Sequence, residues 1–234
     1  MRKAILVFSL LVMLASVALA DTVTMKLVNL GPGAVGGPNS AGGVYVYPYY
    51  FSINNSQTLT PLICDSYDNE VAINEHWTAT VTALSANAGM MTPLASTGLT
   101  KAQAYDEAAW LLSQLSGTPS QSTAAAINFA MWGLFSQNAL NSAAYTSTGA
   151  ATWKTQADAI VPTLASSFFD NYSVYTPQLG TQSQGGLPQE YIGYTPGGRI
   201  PNTPGSPVPE PASLLMFGTG LMSVSGLIRS KLKR

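Results

Sequence analysis

Residues 21 to 84 repeat apolar and polar positions with the two-residue period of strands. The segment 22–30 (TVTMKLVNL) alternates and predicts a strand. Positions 44–53 (VYVYPYYFSI) are aromatic and β-prone, with Pro48 marking an edge or a bulge. A third strand is expected over 59–67 (LTPLICDSY) and a fourth over 76–84 (HWTATVTAL). In the fourth, Trp77, Ala79, Val81 and Ala83 share one face and Thr78, Thr80 and Thr82 the other. The period then lengthens. Over 99–115, Tyr105, Ala108, Ala109, Leu112 and Leu115 recur at helical spacing, and Gly117 ends the run. Thr118 and Pro119 suit the start of a second helix, reaching about Gln137 and burying Ile127, Met131, Leu134 and Phe135. A third amphipathic stretch, 151–169, is kinked or split by Pro162. Short strands are expected at 172–176 and 189–194. Strands, then helices at about 99–169, then strands predict an α+β domain over 21–194: a mostly antiparallel sheet or sandwich with a helical insertion.

The ends follow another logic. Arg2 and Lys3 precede an apolar run at 4–17, and Ala18-Leu19-Ala20 has the small residues of a cleavage site. Residues 1–20 therefore read as a signal peptide, cut by signal peptidase to leave Asp21 first. Residues 195–208 (TPGGRIPNTPGSPV) form a Pro/Gly linker. Pro209-Glu210-Pro211 then stands before the uncharged run 212–228, and Arg229, Lys231, Lys233 and Arg234 form a basic tail. As a helix the run would measure about 25 Å, against a hydrocarbon core of about 30 Å. It predicts a single transmembrane helix whose basic end stays cytoplasmic.

A Pro-Glu-Pro triplet, a short membrane run and a basic cluster, in that order, resemble a PEP-CTERM sorting signal at 209–234. The resemblance implies that an exosortase recognises the tail and cuts near the triplet. The membrane is then a transient partner, and the body goes to the cell surface or the extracellular matrix. The same tail is also labelled ice-binding protein C-terminal domain, a label that describes the tail and is not evidence of ice binding.

Charge and rare residues narrow the body. Positions 21–211 carry four basic and eleven acidic residues, a net of −7, while the whole chain is near neutral. Few cations and dispersed acidity argue against nucleic-acid binding. One cysteine, Cys64, allows no intrachain disulfide, and one histidine, His76, excludes most histidine-based metal sites. No cofactor and no catalytic set is read: G-x-S-x-G, H-E-x-x-H and a phosphate loop are all absent. Asp65, Asp68 and Glu70 offer oxygens for calcium but lack the glycine and terminal glutamate of an EF-hand loop; a solvated acidic turn is the simpler reading.

Cys64 in LICDSY, the helical AAWLL at 108–112 and the INFAMW ending at Trp132 together resemble the thioester domains of bacterial surface adhesins. The resemblance implies a bond between a cysteine thiol and a glutamine side chain from a TQxA(I/M)W-like motif, which captures amines. Cys64 matches the cysteine; Asn128 stands where the glutamine is expected, one methylene shorter. The alternative for Cys64 is a small buried hydrophobe on a strand.

The expected function is that of an exported adhesive or structural protein of the exopolysaccharide or biofilm layer, without enzymatic turnover, whose partners are polysaccharide or matrix proteins. The alternatives are a thioester-type covalent adhesin using Cys64, and an ice-binding or carbohydrate-binding module. Tyr45, Tyr47, Tyr49 and Tyr50 could make a sugar-stacking face. An ice-binding face would need regular threonines over several strands, and only Thr78, Thr80 and Thr82 show that spacing.

Overall fold

The computed structural model describes residues 21–30, 40–41, 43–46, 48–84, 94–115, 120–184 and 187–195. The expected signal peptide, most of the linker, the sorting triplet, the membrane run and the basic tail lie outside the described residues. Among the described residues no helix is long and apolar enough to cross a membrane.

Strand β1 (Asp21–Asn29) buries Val23, Met25 and Leu27 and exposes the residues between them, as its alternation requires. The stretch 44–53, expected as one strand with an edge or a bulge at Pro48, is two strands: β3 (Val44–Tyr45) pairs with the short β2 (Ser40–Ala41), and β4 (Tyr49–Ile53) joins another sheet. Strands β5 (Leu59–Cys64), β6 (His76–Ala83), β7 (Tyr172–Pro177) and β8 (Tyr191–Tyr194) complete it. The expected antiparallel sheet with a helical insertion is present, and the sandwich alternative is corrected. The strands close into a six-stranded antiparallel barrel in the order β1-β4-β5-β8-β7-β6. β1 pairs with both β4 and β6, and β8 joins β5 to β7, so the main sheet keeps no free edge.

Inside runs an aromatic column. Trp77 lies 5.7 Å from Phe51 and stacks on Tyr191 at 6.1 Å; Tyr191 in turn meets Phe51 at 4.7 Å and Tyr49 at 5.5 Å. Leu62, Cys64 and Ala79 fill the remaining lumen. Gly193 faces the same space: a Cβ there would stand 2.1 Å from the Leu62 side chain, so glycine is the residue that lets β8 close against β5. Thr82, expected on the polar face of β6, is buried. It pairs with Val174, whose outward side chain belongs to the helical core.

The helices cover the outer face of β5, β7 and β8, where Ile63, Val174 and Ile192 point outward. Helix α1 (Lys101–Gln114) starts at Thr100, which shares a reciprocal capping box with Gln103. Helix α2 (Gln121–Phe135) is capped by Ser120 rather than by Thr118. It ends at Phe135, and two further helices that hydrophobic periodicity did not signal follow: α3 (Gln137–Asn141) and α4 (Ala143–Ser147), each capped by a serine. Helix α5 (Ala150–Ile160) gives way at Pro162 to a 3-10 turn, as expected, and a second 3-10 turn leads into β7.

Between α1 and α5 lies a buried charge. Glu107 is 3% exposed, and Lys154 Nζ stands 3.1 Å from its Oε2 and 2.5 Å from Asp158. Burial pushes the Glu107 carboxyl up to about 7, against the attraction of Lys154. Burial is the largest influence, and Asp158, which shares the ammonium, pushes the same way. A carboxyl whose folded pKa is raised binds more protons folded than unfolded, so its contribution to stability falls as pH rises from about 4.5 through about 7. Glu107→Gln is expected to remove a decline on the order of 1–3 kcal/mol between about pH 5 and pH 8. Urea unfolding across that range checks it: an unchanged slope in the variant would assign the decline to other groups.

Candidate functional site

The chain that follows β5 forms one side of a cleft. Its volume is about 220 Å³, and its lining includes Tyr45, Tyr49, Ser66, Tyr67, Trp132 and Gln189. Tyr67 packs 5.5 Å from Trp132, and Tyr45 meets Tyr49 edge-on at 5.3 Å, so the aromatic column of the lumen continues into the cleft wall. Of the tyrosine row expected to face a sugar, Tyr45 is half-buried and lines the cleft, Tyr49 is buried beneath it, and Tyr47 lies outside the described residues.

Cys64 ends β5 with its side chain in the lumen, 1% exposed. Its thiol donates to the Ser66 carbonyl at 3.2 Å. Burial, with the Asp65 carboxylate beside it, pushes the thiol well above its ordinary pKa, which keeps it protonated. Trp132 fixes this turn from α2, its indole N–H donating to the Cys64 carbonyl at 2.8 Å.

Asn128 lies one turn before Trp132 on α2 and is fully buried. Its Nδ2 donates to the Val46 carbonyl at 2.6 Å and to the Ala124 carbonyl at 2.9 Å. The amide thus ties the helix to the chain entering β4. The amide that meets the Cys64 neighbourhood is a different one. Gln189, 6% exposed, donates from Nε2 to the Ser66 carbonyl at 3.4 Å and to the Asn69 carbonyl, and its Oε1 accepts from the Tyr191 hydroxyl at 2.6 Å. The strand register explains the meeting. Cys64 pairs with Tyr191, and the ladder runs on as Asp65 N–H donates to the Glu190 carbonyl. Gln189, two residues before Tyr191, is therefore a same-face diagonal neighbour of Cys64. Thiol and glutamine amide converge on one carbonyl oxygen, with a buried tyrosine hydroxyl on the amide oxygen.

Sequence reasoning missed Gln189. Its only local signal was its place at the head of an expected strand, and the register opposite Cys64 was not legible. The three acids weighed for calcium diverge. Asp65 is buried; Asp68 accepts from Ser136 and Asn138 at 2.7 and 2.8 Å; Glu70 is exposed at the cleft rim. Among the described residues no group of three potential ligands could hold a metal. Glu190, next to Gln189, is buried and takes hydrogen bonds from Tyr105 and, at 2.5 Å, from Thr176, which anchors this end of the barrel to α1.

The family model described as the PEP-CTERM protein-sorting motif matches residues 207–230. The motif implies exosortase-dependent sorting of an exported, membrane-processed protein. No curated protein and no solved structure matches the chain.

Proposed function

We propose that this exported chain is a surface or matrix adhesin, not an enzyme, that joins covalently to its target through a thioester between Cys64 and Gln189. The observation that carries the reading is the convergence of the Cys64 thiol and the Gln189 amide on the Ser66 carbonyl, at 3.2 and 3.4 Å. The Cys64 sulfur attacks the Gln189 side-chain carbonyl carbon, the C–N bond breaks, and ammonia leaves with the thiol proton. Tyr191 supports the step by donating to the carbonyl oxygen on which negative charge develops. Cys64 is 1% and Gln189 6% exposed, so the product meets solvent only through the cleft. A primary amine entering the cleft then attacks the same carbon and the C–S bond breaks. Cys64 returns as a thiol and the amine stays bound as an amide. One event per molecule is adhesion, not turnover.

The ends support delivery to the outside. The residue expected first after signal peptidase cleavage, Asp21, is the first residue of β1, so cleavage there would leave the barrel strand whole. Exosortase cutting near Pro211 would release the body from its transient place in the membrane. A second reading keeps the same cleft and omits the bond: Tyr45, Tyr67 and Trp132 then hold a matrix polysaccharide noncovalently.

The intact mass of protein recovered from its native host tests both. A species beginning at Asp21, ending near Pro211 and lighter by one ammonia is expected. The same ends without the ammonia loss would leave the noncovalent reading, and a chain retained to Arg234 would overturn the account of cleavage.

A further inference from the structure

The cleft above the thioester does not accept amines indifferently. We propose that its substrate is a primary amine carried on an amino sugar, as in a partly deacetylated hexosamine polymer; this rests on the Cys64–Gln189 reading. Three features of the cleft select that class. The first is its walls. Tyr45 and Tyr67 are half-buried and offer ring surface, with Trp132 behind them. Aromatic rings give broad apolar faces at low entropic cost, and such faces match the C–H face of a pyranose better than a slender alkyl stem.

The second feature is size. At about 220 Å³ the cleft is smaller than the pockets of roughly 300–1,000 Å³ that enclose drug-sized ligands. It admits one monosaccharide-sized unit of a chain that continues into solvent. The polar lining fits the same unit: Ser66 and Asn69 line the cleft and supply hydrogen-bonding groups for ring hydroxyls.

The third is charge. Glu70 stands in the lining, and among the described residues no lysine or arginine lines the cleft. A protonated amine is drawn to that rim, as an N-acetylated unit of the same polymer is not. The step balances. The ammonium gives one proton to solvent and attacks the Gln189 carbon as the free amine. The C–S bond breaks, and the proton lost from the new amide nitrogen is taken up by the departing Cys64 sulfur.

The test uses the full-length exported protein and intact-mass detection of adducts. Its probes are methylamine, a glucosamine oligomer, the same oligomer fully N-acetylated, and a lysine-containing peptide. The glucosamine oligomer is expected to add at least about tenfold faster than the lysine peptide at equal amine concentration, a difference of about 1.4 kcal/mol, and the acetylated oligomer not at all. Tyr67→Ala is expected to lower the ratio of the glucosamine-oligomer rate to the methylamine rate by about tenfold. Equal rates for peptide and oligomer, a faster peptide, or an unchanged ratio in Tyr67→Ala would overturn the amino-sugar assignment while leaving the thioester intact. No adduct with methylamine would overturn the thioester and this inference together.

Discussion

A Gln189→Glu variant is expected to keep its fold, carry a free Cys64 thiol and form no adduct with methylamine. The substitution preserves the length and branching of the side chain, so the Tyr191 hydroxyl still finds an oxygen to donate to. It replaces ammonia, which can leave, with an acid oxygen that does not leave under the same conditions. The effect on adduct formation is total. Cys64→Ser should abolish the adduct too, since an oxygen ester at that position lacks the reactivity of the thioester toward amines. Asn128 separates the two amides the chain offers. Its Nδ2 already serves the Val46 and Ala124 carbonyls. Asn128→Ala is therefore expected to cost about 1–3 kcal/mol, through the Val46 carbonyl that loses its buried donor, while the folded fraction still reacts. Thiol titration and intact mass on the three variants decide the matter. An adduct that survives in Gln189→Glu but vanishes from folded Asn128→Ala would transfer the bond to Asn128.

The largest loss of stability is expected from Trp77→Ala. Trp77 is 1% exposed in the barrel lumen, between Phe51 and Tyr191. Truncating a buried tryptophan costs about 3–5 kcal/mol, the higher part of that range where the surroundings cannot collapse. This site cannot collapse easily. Its walls are backbone ladders closed on all sides, and the neighbouring rings are packed against one another in the column. Among the described residues the indole N–H has no hydrogen-bond partner, so Trp77→Phe removes a buried unsatisfied donor as well as volume and is expected to cost clearly less. Urea denaturation midpoints for the two variants check the order. Equal losses would mean that the lumen repacks around either side chain. A damaged column would also reach the site, because Tyr191 holds both the stack with Trp77 and the hydrogen bond to Gln189.

Much of this was legible along the chain because it is local. Strand alternation located β1, β5 and β6 to within a few residues, the longer period located α1, and Pro162 broke a helix where a fixed φ and a missing N–H must break it. The short helices α3 and α4 escaped because five-residue helices of Ser, Asn, Thr and Ala carry no periodic apolar stripe; serine caps and contact with α2 and α5 make them. Cys64 was singled out by being the only one of its kind.

The sequence by itself determined where the chain changes period, which residues are apolar enough to be inside, and the sorting motif at the C-terminal end, since each is written in consecutive residues. Tertiary structure alone decided that the sheet closes into a barrel and which amide stands beside the thiol. Both depend on β5 finding β8 across more than a hundred residues. A strand pattern states which face is apolar but not which distant strand it pairs with, or in what register. A slip of one residue would turn Gln189 away from Cys64. Closure therefore brings Cys64, Gln189 and Tyr191 to one point beneath the aromatic cleft, while Asn128, closer in sequence, is drawn to the carbonyls of Val46 and Ala124.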